Sequence, residues 1–133
     1  MTHELLTIGR ISVDIYPNDI GVDLEDVTSF GKYLGGSPSN VSVAAARHGR
    51  RTGVITRTGD DAFGTYLHRE LRKFNVDDSF VTAVKEWPTA VTFCAIKPPE
   101  DFPLYFYGRF PTAPDLQIKA EENLQRTEAA LIK

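Results

Sequence analysis

Gly35-Gly36-Ser37-Pro38-Ser39-Asn40, continued by Val41-Ser42-Val43-Ala44-Ala45-Ala46 and closed by Gly49, is the stretch that decides the fold. Ser37 is a good N-cap and Pro38 a good first helical residue, so a helix is predicted to start there, run through the alanines and stop at Gly49. Glycines just ahead of a helix N-terminus let a ligand touch bare backbone, and the unpaired N–H groups and positive dipole end favour oxygen-rich ligands there. The side-chain amide of Asn40, one turn in, can both donate to and accept from a hydroxyl. The competing reading is an ordinary helix start with a packing asparagine.

Working outward, Leu5-Leu6-Thr7-Ile8-Gly9 is a short apolar run closed by glycine and reads as a buried strand. Residues 17–26 are polar and turn-rich, and Val27 to Leu34 returns as an extended segment leading into the glycine pair. On the other side, Thr52-Gly53-Val54-Ile55-Thr56-Arg57 reads as a second buried strand. Ala62 to Phe74 carries Phe63, Tyr66, Leu67, Leu71 and Phe74 at helical spacing. Strand, helix, strand, helix indicates an α/β fold with a largely parallel sheet. Thr89 to Ile96 and Leu104 to Tyr107 are β-rich runs flanking the turn-like Lys97-Pro98-Pro99-Glu100-Asp101, which predicts a hairpin. Together with residues 13–34 they are expected to make a small second sheet. From Asp115 the chain is polar, with a helix expected over Ala120 to Lys133. There is no internal repeat.

At 133 residues, 41% hydrophobic and 25% charged, the chain has the composition of a globular domain with one core. A net charge of −3 without a Lys/Arg block argues against nucleic acid or an anionic membrane as partner. Arg47, Arg50 and Arg51 stand at a helix end, where they complement the dipole. A single cysteine, Cys94, excludes an internal disulfide and fits a reducing cytoplasm; its apolar surroundings suit a buried, inert thiol. No signal peptide or membrane-spanning apolar run is seen, so a cytoplasmic protein is expected. His3, His48 and His68 share no metal-ligand spacing and read as a tail, a helix-end and a helix-face residue.

The glycine stretch resembles the first signature of the ribokinase/PfkB family of carbohydrate kinases. That pattern asks for small or glycine-like residues, an asparagine, a further small residue and two later glycines; Gly35, Gly36, Pro38, Asn40, Ser42, Gly49 and Gly59 fill every slot. The resemblance implies a ribokinase-like parallel sheet flanked by helices, with a small β-sheet lid from segments near 13–34 and 89–108. It also implies in-line transfer of the γ-phosphoryl group of ATP to a primary hydroxyl with Mg²⁺, and a homodimer formed through the lid. Within the family, Tyr33 to Asn40 with its Ser37-Pro38 step looks closest to the 5-dehydro-2-deoxygluconokinases. The 2-keto-3-deoxygluconate kinases and fructokinases come next, and the ribokinases, with Lys-Gly at that step, stand further off.

Gly9-Arg10-Ile11-Ser12-Val13-Asp14 looks like the family motif whose two polar slots, here Ser12 and Asp14, hold sugar hydroxyls. One carboxylate can accept from two adjacent hydroxyls; the alternative is a turn or capping aspartate. Gly35, Gly36, Ser37 and Asn40 are the remaining sugar-side candidates from the glycine motif. Tyr107-Gly108-Arg109-Phe110-Pro111-Thr112-Ala113 resembles a Tyr-x-Arg-x-x-Ser/Thr-Ala segment of members acting on sugar acids and related keto sugars, which makes Tyr107 and Arg109 candidates, the guanidinium gripping a carboxylate or, less strongly, a carbonyl and hydroxyl pair. A surface arginine is the alternative there. In Gly59-Asp60-Asp61-Ala62-Phe63-Gly64, Asp61 is expected to cap the following helix. Trp87-Pro88, Phe102, Tyr105 and Phe110 suit core packing, a ligand cover or a dimer contact. The family's second signature, an Asp-Thr-x-Gly-Ala-Gly-Asp-like segment supplying the anion hole and the base, is nowhere in the sequence, nor is a Walker A motif. The expectation is therefore a fragment holding the sugar side and the lid but neither the ATP site nor a catalytic residue, inactive by itself. A non-catalytic sugar-binding or dimerisation module is the reading from another class. A nucleotide-dependent oxidoreductase is disfavoured, because the first turn lacks the required glycine spacing.

Overall fold

The computed structural model describes residues 2–107. In chain order the elements are β1 (Leu5–Ile8), β2 (Ser12–Pro17), a 3₁₀ turn (Leu24–Asp26), β3 (Phe30–Gly35), α1 (Ser37–Arg47), β4 (Thr52–Gly59), α2 (Ala62–Lys73), β5 (Val76–Asp77), β6 (Val81–Val84), β7 (Val91–Cys94) and β8 (Leu104–Tyr107). Arg109 and the helix expected from Ala120 lie outside the described residues. No helix among the described residues is long and apolar enough to cross a membrane.

The first sheet is parallel throughout and is organised by β4, in which every residue except Arg57 is buried. β1 runs beside its first half, β5 beside Thr52 and Gly53, and β6 beside Thr56 to Gly59. Polar pins as well as apolar contacts fix α1 to this sheet. The Ser42 hydroxyl donates to the Gly53 carbonyl at 3.1 Å and lies 2.7 Å from Thr7 Oγ1, while Thr52 Oγ1 donates to the Ser42 carbonyl. The small residue at position 42 thus permits close approach of helix to sheet. In α2, Leu67 and Leu71 are fully buried against Val54, Val76 and Val81, each burial worth roughly 1.5–3 kcal/mol.

The second sheet has the order β3-β2-β7-β8: β2 is antiparallel to β3 and parallel to β7, and β7 and β8 form an antiparallel hairpin closed by a Lys97–Asp101 bridge. Strand β2 joins it to the core, because Val13 and Ile15 belong to the same apolar cluster as Leu67 and Tyr66. The Tyr66 hydroxyl donates to the Lys32 carbonyl at 3.0 Å, tying α2 to β3.

Several expectations are corrected. Helix α1 starts at Ser37, with Gly36 rather than Ser37 as its cap and no side-chain capping bond; Gly36 has φ +99°, a conformation that suits glycine and turns the chain one residue earlier. Strand β1 is not buried: it is at the edge of the described sheet, and Ile8 is 53% exposed. Strands β5 and β6 were not predicted, being short and mixed in composition and defined by their pairing with β4. His3 is buried rather than a tail residue, bonded to Asp77 at 2.9 Å and against the Phe80 ring. His68 is not merely a helix-face residue, since it holds Asp78 at 2.6 Å.

Asp61 caps α2 as expected, accepting from the Gly64 N–H at 2.7 Å, and it does more. It also accepts from the Thr89 N–H at 2.8 Å and the Thr89 hydroxyl at 2.7 Å, while Thr89 Oγ1 accepts from the Gly59 N–H. This knot ties the end of β4 to the segment leading into β7. Burial alone would raise the Asp61 pKa; the Thr89 and Gly64 amides and the Thr89 hydroxyl outweigh it and hold the carboxyl below its ordinary value. Its stabilising contribution is therefore present above the ordinary carboxylate range and is lost as pH falls through the depressed value. Asp61→Ala should lower the unfolding free energy by about 2–4 kcal/mol in urea titrations at pH 7, the deficit shrinking in acid; an unchanged midpoint at pH 7 would contradict the knot.

Candidate functional site

The alternation Arg10-Ile11-Ser12-Val13-Asp14-Ile15-Tyr16 divides β2 and its approach between two environments. Ile11, Val13 and Ile15 are buried in the core, whereas Arg10, Ser12, Asp14 and Tyr16 all line one open cavity of about 290 Å³. Its other walls are the start of α1, with Gly36, Ser37 and Asn40, and the second sheet, with Thr92 from β7 and Leu104, Phe106 and Tyr107 from β8. Of the candidates read from sequence within the described residues, Ser12, Asp14, Gly36, Ser37, Asn40 and Tyr107 line it.

Gly35, though not part of the lining, makes the arrangement possible. It pairs with Ser12 across β2 and β3, and a Cβ placed on it would meet the Asp14 carboxylate at 2.1 Å. At Gly36 a Cβ would meet the Arg10 carbonyl at 2.4 Å. The two glycines are thus filled by the neighbouring chain, one by the carboxylate and one by backbone. Pro38 has no N–H and the Asn40 backbone N–H bonds the Gly36 carbonyl at 2.9 Å, while Ser37 and Asn40, both exposed, line the cavity.

The Ser12 hydroxyl donates to Asp14 Oδ1 at 2.7 Å, which orients the carboxylate. Burial pushes the Asp14 carboxyl above its ordinary pKa, and the Ser12 bond offsets part of that. Burial and then the Asp14 charge raise Cys94 as well; its thiol donates to the Ala95 carbonyl and is kept protonated. The register puts Thr92 and Phe106 in one row with Asp14. Tyr107 borders the cavity, but it pairs with Val91 in the neighbouring row and its ring packs edge-on against Phe93, centroids 5.3 Å apart. Phe106 is therefore the β8 aromatic that shares the Asp14 face. Arg10, Tyr16 and Thr92 were missed from sequence; the alternation centred on Asp14 was the signal for the first two.

The family profile described as pfkB family carbohydrate kinase matches residues 2–129. The chain is 33% identical to a 5-dehydro-2-deoxygluconokinase of Clostridium tetani over 90% of its own length and 35% of the relative's, and 32% identical to that of Geobacillus kaustophilus over 97% and 39%. Among solved structures it resembles an uncharacterized sugar kinase of Pyrococcus horikoshii in complex with ATP, with TM-score 0.76 and 33% identity over 83% of this chain and 35% of that one. A fructokinase of Halothermothrix orenii matches with TM-score 0.69 and 27% identity over 77% and 37%. The chain spans little more than a third of the length of these relatives.

An ionised carboxylate held in a partly dry cavity by one hydroxyl costs stability. Because the folded pKa of Asp14 is raised, the cost is full above that value, declines as pH falls through it and vanishes below the ordinary carboxylate range. Asp14→Asn should therefore melt at a higher temperature than the parent at pH 7, the gap closing towards pH 4. A variant less stable than the parent at pH 7 would show that the carboxylate is a structural bond.

Proposed function

Because the chain belongs to the pfkB family of carbohydrate kinases, we propose that it forms the sugar-binding side of an ATP-dependent kinase acting on a primary hydroxyl of a sugar acid of the 5-dehydro-2-deoxygluconate type. The observation that carries this reading is the convergence of Asp14, Ser12 and Asn40 on one cavity between the start of α1 and the second sheet. Asp14 accepts from two adjacent hydroxyls, the Ser12 bond keeps its carboxylate aimed, and the Asn40 amide donates to a third oxygen. Holding the sugar by several hydroxyls fixes which one faces the phosphoryl donor, and that positioning is where a bound geometry yields rate.

Names carried by the relatives support the sugar-acid choice, and the Ser37-Pro38 step agrees with it. A neutral ketose is the second reading, supported by the likeness to fructokinase. ATP and Mg²⁺ belong to the proposed reaction, but the described residues do not fit them. No group of three or more His, Cys, Asp or Glu side chains among them stands where it would hold a metal ion, and the glycine turn before α1 is filled by Asp14 and Arg10 rather than open to a phosphate. The part these residues play is to bind and orient the sugar, and the 133-residue chain alone is proposed to be inactive.

The second sheet is proposed to act as a lid. All four residues of β8 are exposed, and Phe30, Phe93 and Tyr107 form an edge-on aromatic row on the face opposite Asp14. A second copy of the lid is the proposed cover for that apolar surface. Sedimentation of the intact protein should give a dimer that Phe30→Glu dissociates; a monomeric parent would contradict this cover.

The sugar assignment is tested by steady-state kinetics of the intact protein. Asp14→Ala should lower kcat/KM for the sugar acid by roughly one to two decades, as expected for a lost charge-assisted contact of about 1.5–3 kcal/mol, with KM for ATP nearly unchanged. Unchanged sugar kinetics would remove Asp14 from the site.

A further inference from the structure

We propose that the groove between α1, α2 and β3 is a second ligand site, which takes a sugar bisphosphate and opposes binding in the sugar cavity. It is an open cavity of about 530 Å³. Among the described residues, its lining sets the cations Lys32, Arg47 and Lys73 against the single carboxylate of Glu70, so it is net positive in a chain whose net charge is −3. Lys73 is paired with Glu70 at 3.3 Å. Lys32 and Arg47 are held instead by ring faces: the Lys32 ammonium stands 4.1 Å from the centre of the Tyr66 ring, and the Arg47 guanidinium 5.0 Å from that of Phe74. A ring face fixes a cation in place, but it carries no net charge to neutralise it and does not satisfy its N–H donors as an oxygen would. The platforms are themselves rigid. Tyr66 is buried, with its hydroxyl donating to the Lys32 carbonyl, and Phe74 packs against the core at the C-cap of α2. Arg47 and Lys73 also complement the dipoles of the helices they end, whereas Lys32, on β3, has no such role.

The spacing selects the ligand. Tyr66 and Phe74 are eight residues apart, about 12 Å along the axis of α2, and so set Lys32 and Arg47 towards separate ends of the groove. One phosphate does not span them, whereas a six-carbon sugar with a phosphate at each end has the reach to meet both. Asn40 and the exposed Tyr33, which line the same groove, offer a polar and an aromatic contact to its hydroxylated body. Asn40 also lines the sugar cavity. Tyr33 is paired with Asp14 in the β2–β3 register and meets the Tyr16 ring edge-on, centroids 5.6 Å apart. The groove and the cavity are therefore walled off from each other by side chains they share. An Asn40 amide engaged from the groove is withdrawn from the sugar, and by linkage each ligand weakens the other by the same factor. This coupling rests on the sugar-binding reading given above; the bisphosphate site does not. Lys32 and Arg47 are exposed, so their replacement is not expected to disturb the core.

The test is calorimetric binding to the intact protein without nucleotide, in the parent, Lys32→Gln, Arg47→Gln and Asp14→Asn. The probes are D-fructose 1,6-bisphosphate, D-fructose 6-phosphate and 5-dehydro-2-deoxygluconate. The parent should bind the bisphosphate about tenfold or more tighter than the monophosphate, and either Lys32→Gln or Arg47→Gln should remove that advantage, as expected for one lost charge-assisted contact. Asp14→Asn should leave bisphosphate binding unchanged. A saturating concentration of bisphosphate should weaken the sugar acid about five- to tenfold in the parent, and the same concentration should have little effect in Arg47→Gln. A parent that binds neither phosphate, or both equally, overturns the inference, as does bisphosphate affinity indifferent to Lys32→Gln and Arg47→Gln. Bisphosphate binding lost in Asp14→Asn and kept in the other two variants overturns it as well, because the ligand is then in the sugar cavity. Bisphosphate binding that follows Lys32 and Arg47 but leaves the sugar acid unaffected overturns the coupling. The same binding in a parent that takes no sugar acid overturns the sugar site and the coupling, and leaves the bisphosphate site standing.

Discussion

Strand β2 has to satisfy two environments at once, and the rest of the structure depends on its doing so. Its odd-numbered residues Val13 and Ile15 complete the core beneath α2, and its even-numbered residues Ser12, Asp14 and Tyr16 face an open cavity. A one-residue slip would bury Asp14 and expose Val13, so the register is held by the cost of both errors. The carboxylate can stay at that position because Gly35, directly across from Ser12, has no side chain. The core and the site are in this sense one constraint: apolar burial on one side of the strand aims the polar groups on the other.

The two sheets are held together by few but specific links. Beyond the shared core, Tyr66 reaches from α2 to the backbone of β3, and Asp61 reaches from the start of α2 to Thr89 ahead of β7. Both come from the same helix, so movement of the second sheet relative to the first is restrained at its base while its outer strand β8 remains exposed. That distribution suits an element fixed at one end and open at the other. The outer aromatic row, Phe30, Phe93 and Tyr107, is on the face away from Asp14, so covering it with a partner and closing over a ligand use different surfaces.

The parallel sheet, both helices and the polar end of the site were legible in the sequence, because they rest on local signals. The glycine pair, the Asp61 cap and the apolar spacing of α2 each act within a few residues, and the alternating run around Asp14 is a local pattern too. What escaped depends on contacts distant in the chain. Strand β5 has only two residues, and its identity comes from lying beside Thr52 and Gly53. His3 is buried because Asp77 and Phe80 close over it. The start of α1 was misplaced by one residue, because the backbone at Gly36 answers to the Arg10 carbonyl packed against it rather than to the capping preference of Ser37. Arg10 has no assigned role in the sequence motif; the cavity brings it into line with Asp14.

A sugar acid is proposed to lie between the start of α1 and the second sheet, hydroxyls towards Asp14. The most direct measurement is a crystal structure of the intact protein with 5-dehydro-2-deoxygluconate and a non-hydrolysable ATP analogue. Two sugar hydroxyls are expected within hydrogen-bonding distance of the Asp14 carboxylate and a third sugar oxygen at the Asn40 side-chain amide. A sugar bound elsewhere, with the Asp14 carboxylate touching only Ser12, would contradict it.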